Sequence, residues 1–398
     1  MLKLLKAREI EISILICDSA ERTFRSDIED LGVATFTARG KRVAHYPDLA
    51  VEDHVELIKS SDLVWITDIE YLVAPRIKKI KKDLPIIAHL HSYALACPIQ
   101  SAFYGMRETC TVNCSHSLQR FARCKRLSKQ YLADWDHRKL KRIGTKLLQL
   151  PNLAESYLDF RAWPMNAGIV ESIDGFVAVS RYTRDLVRIH LPHLNHVPIE
   201  VVPNPVIVPD PAFAPKSYQA SRGRTILYAS GSHLVKGPHI ALYAVRKLLD
   251  DNWKEFALTM LGTESNVWIK TIVKRLGIER YVNLRGRLPS KKQVYALMAD
   301  SRAVVLPSLW PEPLATVPIE ANLLGTPAVV SNRGGNPDTI VDKVTGFVTE
   351  PSVDKVAKAL EEALERNWDR ESIARIAKER YNPERTIHTL VEFLESFL

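Results

Sequence analysis

Two glutamates eight positions apart, Glu312 and Glu320, carry the clearest chemical promise in this chain. They stand in Pro307-Ser-Leu-Trp-Pro-Glu312-Pro-Leu-Ala-Thr-Val-Pro-Ile-Glu320-Ala-Asn-Leu-Leu-Gly, after the β-branched run Ala303–Leu306. A buried strand ending at Pro307 hands over to a loop carrying Glu312. Thr316 can cap the helix that follows, with Pro318 in its first turn, where a missing N–H does no harm. Glu320 then falls about one turn in. Backbone N–H groups at a helix start favour an anion such as a diphosphate. Carboxylates accept hydrogen bonds from sugar hydroxyls, so the combination suits a nucleotide sugar. Taken alone, Glu320 would do no more than complement the helix dipole.

Three other clusters invite chemistry. Tyr228-Ala-Ser-Gly231-Ser232-His233-Leu-Val-Lys236-Gly237 sets a cation and two glycines behind an apolar strand. Leu84-Pro-Ile-Ile-Ala-His89-Leu-His91 is a strand ending in a histidine. His89 lies two residues earlier on the same face, so either ring could be the packed one. Cys97, Cys110, Cys114 and Cys124 give a C-x12-C-x3-C-x9-C spacing that could ligate a structural zinc, free thiols or a disulfide being the alternatives. Asp134-Trp-Asp136 sits in a basic segment far from the glutamates; a pattern so short is ascribed to chance and given no metal.

The elements that must position these groups alternate. Strand candidates in the first half are Glu11–Cys17, Leu63–Thr67, Pro85–His91 and Gly175–Ser180, with helices Val51–Ser60 and Ala74–Asp83 between them. The second half predicts strands at Thr225–Ala229, Phe256–Leu261, Val282–Arg285, Ala303–Pro307 and Ala328–Ser331. Helices are predicted at His239–Asp250, Val267–Leu276, Lys291–Ala299, Val317–Leu324, Val353–Trp368 and Pro383–Phe397. Alternation of this kind implies parallel sheets with crossover helices. Ligands of such sheets bind beyond the carboxyl ends of the strands, so the loops Gly231–Gly237, Gly262–Asn266, Ser308–Thr316 and Asn332–Asn336 share one rim. The proline-rich stretch Val201–Pro215 cannot propagate a helix and reads as a linker.

The composition is that of a globular protein: 398 residues, 46% hydrophobic and 25% charged. That length favours two domains. No apolar run approaches the ~20 residues of a membrane-spanning helix, and the charged start Met1–Ile10 has no signal-peptide pattern. A location on the cytoplasmic side is expected. The net charge of +9 is uneven: ten Lys/Arg lie between Arg120 and Lys146, with further clusters at Arg76–Lys82 and Arg39–Arg42. Such patches attract phosphates on lipids, nucleic acid or an acceptor, or are merely solvated faces.

The stretch from Ala303 through Ser331-Asn-Arg-Gly-Gly335-Asn-Pro-Asp338 to Thr345-Gly-Phe-Val348 resembles the Glu-x7-Glu region of the retaining glycosyltransferases of family four. That resemblance implies the α/β GT-B fold, with two Rossmann-like doubly wound domains facing each other across a cleft. It implies residues 1–206 as an acceptor-binding domain, with a Cys-rich basic insertion near 97–146, and 207–380 as the nucleotide-sugar domain. Residues 381–398 are expected to form a helix packing back on the first domain. Catalytic roles fall to Glu312 on the sugar hydroxyls, Lys236 on the diphosphate and His91 facing the transferred sugar. Donor binding falls to Glu320 on the ribose, and to Gly231, Ser232, His233, Leu314, Ala315, Thr316, Val317, Gly262 and Arg287. Where the family has Gly-Arg-Leu before Lys-Gly, this chain has Ser232 and His233 and lacks the arginine. Cys17-Asp-Ser replaces the usual Gly-Gly loop, and Asn204-Pro replaces Asn-Gly. A cysteine-rich insertion in a subset of the family is similar to the run from His91 to Pro98 and beyond.

The expected reaction moves a sugar from a nucleoside-diphosphate sugar to a saccharide, in free or lipid-linked form. Catalysis needs no cofactor, and zinc is a structural option only. The basic clusters suggest docking to an anionic membrane surface on its inner face, with no nucleic-acid partner. Another GT-B enzyme, inverting transferase or epimerase, is the alternative. A zinc-stabilised nucleic-acid binder is the rival from a different class.

Overall fold

Short β-branched runs between polar turns pay no helix-period penalty as buried strands, and they pair in parallel when helices cover both faces. The computed structural model of the chain describes residues 10–17, 34–38, 40–43, 46–67, 71–95, 97, 103–104, 108–110, 117–135, 168–208 and 224–398, with Leu5 and Tyr157. Ser13–Cys17 (β1) pairs in parallel with Ala34–Ala38 (β2), and Gly40–Val43 (β3) antiparallel with Tyr46–Leu49 (β4). Val64–Thr67 (β5), Ile86–Leu90 (β6), Gly175–Ala178 (β9) and Ile199–Val201 (β10) form a parallel sheet ordered β10-β9-β6-β5. Phe103–Tyr104 (β7) and Glu108–Thr109 (β8) pair only with each other among the described residues. Every residue of β6 and β9 is buried, as expected of strands covered on both faces.

The second sheet is larger. Thr225–Tyr228 (β11), Ala257–Leu261 (β12), Val282–Arg285 (β13), Ala303–Leu306 (β14), Ala328–Ser331 (β15) and Gly346–Thr349 (β16) are all parallel, in the order β13-β12-β11-β14-β15-β16. Strand order reverses between β11 and β14, the switch point of a doubly wound sheet, where a crevice opens at the carboxyl ends. The loops carrying Lys236 and Glu312 leave from these two neighbouring strands.

Several elements differ from their sequence expectation. Val51–Ser60 divides into a 3-10 turn, Val51–His54, and a helix, Val55–Ser60. Helix Arg181–His190 went unread because its buried positions, Thr183, Leu186, Val187 and His190, include two polar residues that blur the apolar period. Helix Arg370–Arg380 buries only Ile373 and Ala377 among charges. Thr316 is no cap: it is the first residue of helix Thr316–Leu323, whose N-cap is Ala315 with no side-chain cap bond.

The chain passes between the two cores twice. Val202 packs with Ile87 and Val177, whereas Val206 packs with Ile319 and Leu323. On the return, Tyr381 lies in the Val206 cluster, and helix Pro383–Glu395 lays Ile387, Leu390 and Val391 against Ile87 and Val177. Gly175 makes room for this helix, since a Cβ there would press on Phe397 and Ile87. The part of the proline-rich stretch from 209 to 215 lies outside the described residues.

Candidate active site

At the switch point the loops after β11 and β14 are stitched together. Leu309 N–H donates to the Val235 carbonyl at 2.8 Å. Gly237 takes a left-handed conformation (φ 73°), and a Cβ there would collide with the Pro307 carbonyl. Only glycine meets both demands. The stitching brings Lys236 and Glu312 into contact: Lys236 Nζ donates to Glu312 Oε1 at 2.8 Å and Oε2 at 2.7 Å. Ser308 Oγ donates to Oε1 at 2.7 Å. Glu312 is 3% exposed, so its charge is held by one ammonium and one hydroxyl in a nearly dry site. The ammonium also lies 5.1 Å from the centroid of the Trp310 ring. An ammonium has three donors. Two serve Glu312, which leaves one for an incoming anion.

The backbone of Glu312 is fixed from a third loop. Gly335 N–H donates to the Glu312 carbonyl at 2.6 Å, and Gly334 forms a parallel bridge with Glu312. Gly334 is left-handed (φ 60°), and a Cβ on either glycine would strike backbone of Glu312 or Pro313. The Gly-Gly of the sequence motif thus clamps the Glu312 loop.

Glu320 projects from the helix that starts beyond that loop. Burial pushes its carboxyl above the usual carboxylate range, against the pull of Lys291 and a hydrogen bond with Tyr295. Burial, then the Glu320 charge, pushes the Tyr295 phenol up to about 12. Helix Thr316–Leu323 starts without a side-chain cap, so its first-turn N–H groups are available to an anion. Leu314, Thr316 and Val317 are half-buried there, and Ala315 is buried.

On the neighbouring rim, Gly231 is left-handed (φ 72°) with open space where a side chain would stand. The Cβ direction of left-handed Gly262 (φ 72°) meets only Gly231 Cα, at 3.4 Å. These two glycines leave a gap in the rim. Ser232 is half-buried; His233 and Arg287 are exposed. Among the described residues, Arg287 makes no hydrogen bond or ion pair with Lys236 or Glu312.

In the first half the two histidines separate in environment. His89 is buried, stacked on Trp65 at 5.3 Å, with neither ring nitrogen bonded among the described residues. Burial, then His91, brings its pKa down to about 2, so it stays neutral. His91 is half-buried just past β6, its ring 4.0 Å from that of His89. Tyr93, two residues on, meets Trp310 edge-on at 6.1 Å and so touches the Glu312 loop across the cleft. Burial, with Tyr182 and Glu312 nearby, raises its phenol well above the ordinary range.

Cys97, Cys110 and Cys124 are buried, and His190 Nε2 lies 3.1 Å from the Cys110 carbonyl. Cys114 lies outside the described residues, as do Arg39 and residues 136–146 of the basic stretch. Three of the Arg76–Lys82 cations are engaged within the fold: Arg76 with Glu52, Lys78 with Asp174, and Lys81 with the carbonyls of Lys59 and Ser61. Lys79, Lys82, Arg123 and Arg126 are exposed. Sequence reasoning missed Ser308, Trp310, Tyr93 and Tyr295. The first two lay inside the quoted motif without a role, Tyr93 stands two residues past His91, where the sequence marks it only as an aromatic neighbour, and Tyr295 comes from the separate helix Lys291–Asp300.

The family model described as glycosyl transferases group 1 matches residues 212–380, the stretch of the six-stranded sheet. The Bacillus subtilis (strain 168) protein YtcC is 31% identical over 165 residues, 37% of this chain and 38% of that protein. The alpha-1,3/1,6-mannosyltransferase ALG2 of Mus musculus is 29% identical over 159 residues, 36% and 38% of the two chains. The chain thus spans about two fifths of the length of these relatives. Among solved structures, Anabaena Alr3699/HepE in complex with UDP and glucose superposes with a TM-score of 0.65 at 16% identity, covering 99% of this chain and 94% of that one. A glycosyltransferase from Rickettsia africae ESF-5 gives 0.69 at 16% identity, covering 100% and 92%. The fold is GT-B.

Proposed function

From a GT-B fold whose second sheet matches the group 1 glycosyl transferases, we propose that this protein is a retaining glycosyltransferase using a nucleoside-diphosphate sugar. The observation that carries the reading is the Lys236–Glu312 pair at the switch point, beside an uncapped helix start. The free donor of Lys236 and the N–H groups around Leu314–Val317 meet the diphosphate and stabilise its growing charge as the anomeric C–O bond breaks. The leaving-group charge is met by these groups, so the reading calls for no metal. Glu312 accepts from sugar hydroxyls, Glu320 from the ribose, and His91 faces the sugar from the opposite wall. Residues 1–206 supply the acceptor side, 207–380 the donor side, and 381–398 the returning helix.

Complexes of HepE with UDP and UDP-glucose make uridine donors the first to try. The acceptor is a saccharide, lipid-linked in this reading, reached from an anionic inner leaflet through exposed cations such as Lys79, Lys82, Arg123 and Arg126. Each such cation near the leaflet contributes about 1 kcal/mol. Thermal stabilisation by a panel of UDP-, GDP- and ADP-sugars tests the donor claim, and stabilisation by none of them overturns it. Product configuration read by NMR tests retention. Flotation with anionic and neutral liposomes tests docking, which requires salt-sensitive binding to the anionic vesicles alone.

A further inference from the structure

The loop that carries Glu312 is held by the opposite half of the molecule as well as by its own. Ser180 Oγ donates to the Pro313 carbonyl at 2.6 Å, across 133 positions of sequence. Ser180 is 3% exposed and caps helix Arg181–His190, accepting from Thr183 N–H at 3.1 Å. One hydroxyl therefore does two things: its lone pair caps a helix of the first half, and its proton bonds the residue next to Glu312. A carbonyl has room for a second donor, and Thr183 Oγ1 lies 3.4 Å from the same oxygen. Neighbouring contacts run the same way. Gly335, whose N–H holds the Glu312 carbonyl, leaves only enough room for Ser180 because it lacks a Cβ. Arg181 pairs with Asp338 at 3.2 Å, and Tyr93 packs edge-on against Trp310.

We propose that Ser180 is a positioning residue for Glu312, so that the sugar-binding carboxylate is set only while the two halves are docked through the Ser180–Pro313 bond. The assignment rests on the glycosyltransferase reading for its effect on turnover, but not for its effect on the loop. Nucleotide contacts on Lys236 and Glu320 lie wholly in the second half. Loss of the bond therefore leaves nucleotide affinity in place and loosens the sugar end of the site.

Three variants of the full chain separate the hydroxyl's two duties. Ser180→Gly is still an accepted N-cap residue but cannot donate; Ser180→Thr keeps both; Ser180→Ala loses both. Expected for Ser180→Gly are a melting temperature within a few degrees of wild type, amide exchange at 308–316 at least tenfold faster, and a UDP Kd within twofold. Turnover of UDP-glucose, by transfer or hydrolysis, falls about tenfold, and Ser180→Thr restores it. Wild-type exchange at 308–316 in Ser180→Gly overturns the positioning role. If wild-type protein binds none of UDP, GDP and ADP, the glycosyltransferase reading falls, and loop exchange still decides whether Ser180 holds the loop.

Discussion

Lys236 is tied to Glu312 by both carboxylate oxygens, so deleting it does more than remove a diphosphate contact. A nearly buried carboxylate left without its cation costs on the order of 3 kcal/mol. Lys236→Ala should therefore lower the urea-derived stability by about that much and slow transfer ~10²-fold. Lys236→Met with Glu312→Gln should regain much of the stability and none of the activity; wild-type stability in Lys236→Ala would sink the account. Glu320 behaves differently. Its folded pKa is raised by burial, so its contribution to stability is fully present below the unfolded carboxyl value, about 4.3, and is lost as pH rises through the folded value. Glu320→Gln should be the more stable protein at pH 7, with the gap closing below about pH 4. The same variant should bind UDP at least about tenfold more weakly, since a charged hydrogen bond contributes ~1.5–3 kcal/mol. Calorimetry across that pH range checks the first claim and UDP titration the second. The motif glutamates and Lys236 were legible in the sequence because a loop and a helix start concentrate them in a short stretch. Their contact was not, since 76 positions separate the partners and only the strand order makes them neighbours.

At the scale of elements, strand placement follows from repeated β-branched runs: five of the six second-half strands fall within a residue or two of where alternation puts them, and Gly346–Thr349 (β16), which opens on a glycine, was not read as a strand. Helix Arg181–His190 escaped because Thr183 and His190 fill buried positions that a period reading expects to be apolar. The capping of helix Thr316–Leu323 was misread for a different reason. Thr316 has the right side chain for a cap, but the loop clamped by Gly334 and Gly335 delivers Ala315 to that position. Gly334 gives the element-scale prediction. Alanine there must hold φ near 60° and collide with Glu312 backbone. The strain alone costs about 1–2 kcal/mol. Gly334→Ala should displace the Glu312 loop, with UDP-glucose turnover falling much further than UDP affinity. Equal losses in both would mean that the clamp serves stability only. Gly277→Ala, left-handed at φ 62° at the end of helix Val267–Leu276 with open space at its Cβ, meets the backbone penalty without the collision and makes the matching control.

At the scale of the molecule, two crossings tie the halves together: the strand exit at Val202–Val206 and the return at Tyr381–Ile387. Gly175 sits where the returning helix seats Phe397, and overpacking such a site costs about 1–3 kcal/mol. Gly175→Val should lower the unfolding temperature of the first half while UDP still stabilises the second, giving two calorimetric transitions. An unchanged single transition would contradict that seating. The proline-rich composition of 201–215 marked a change of course in the sequence, but the side-by-side course of the two crossings has no local signature, because it depends on where helix Pro383–Glu395 lands. That landing has a consequence in time. A nascent chain leaves the ribosome at about 5–20 residues per second. The apolar face of Ile87, Val177 and Val202 is finished long before its cover at Ile387–Val391 exists. The face stays wet for on the order of 10–40 s in each round of synthesis, a standing invitation to holding chaperones and a penalty on any slow codons placed in between.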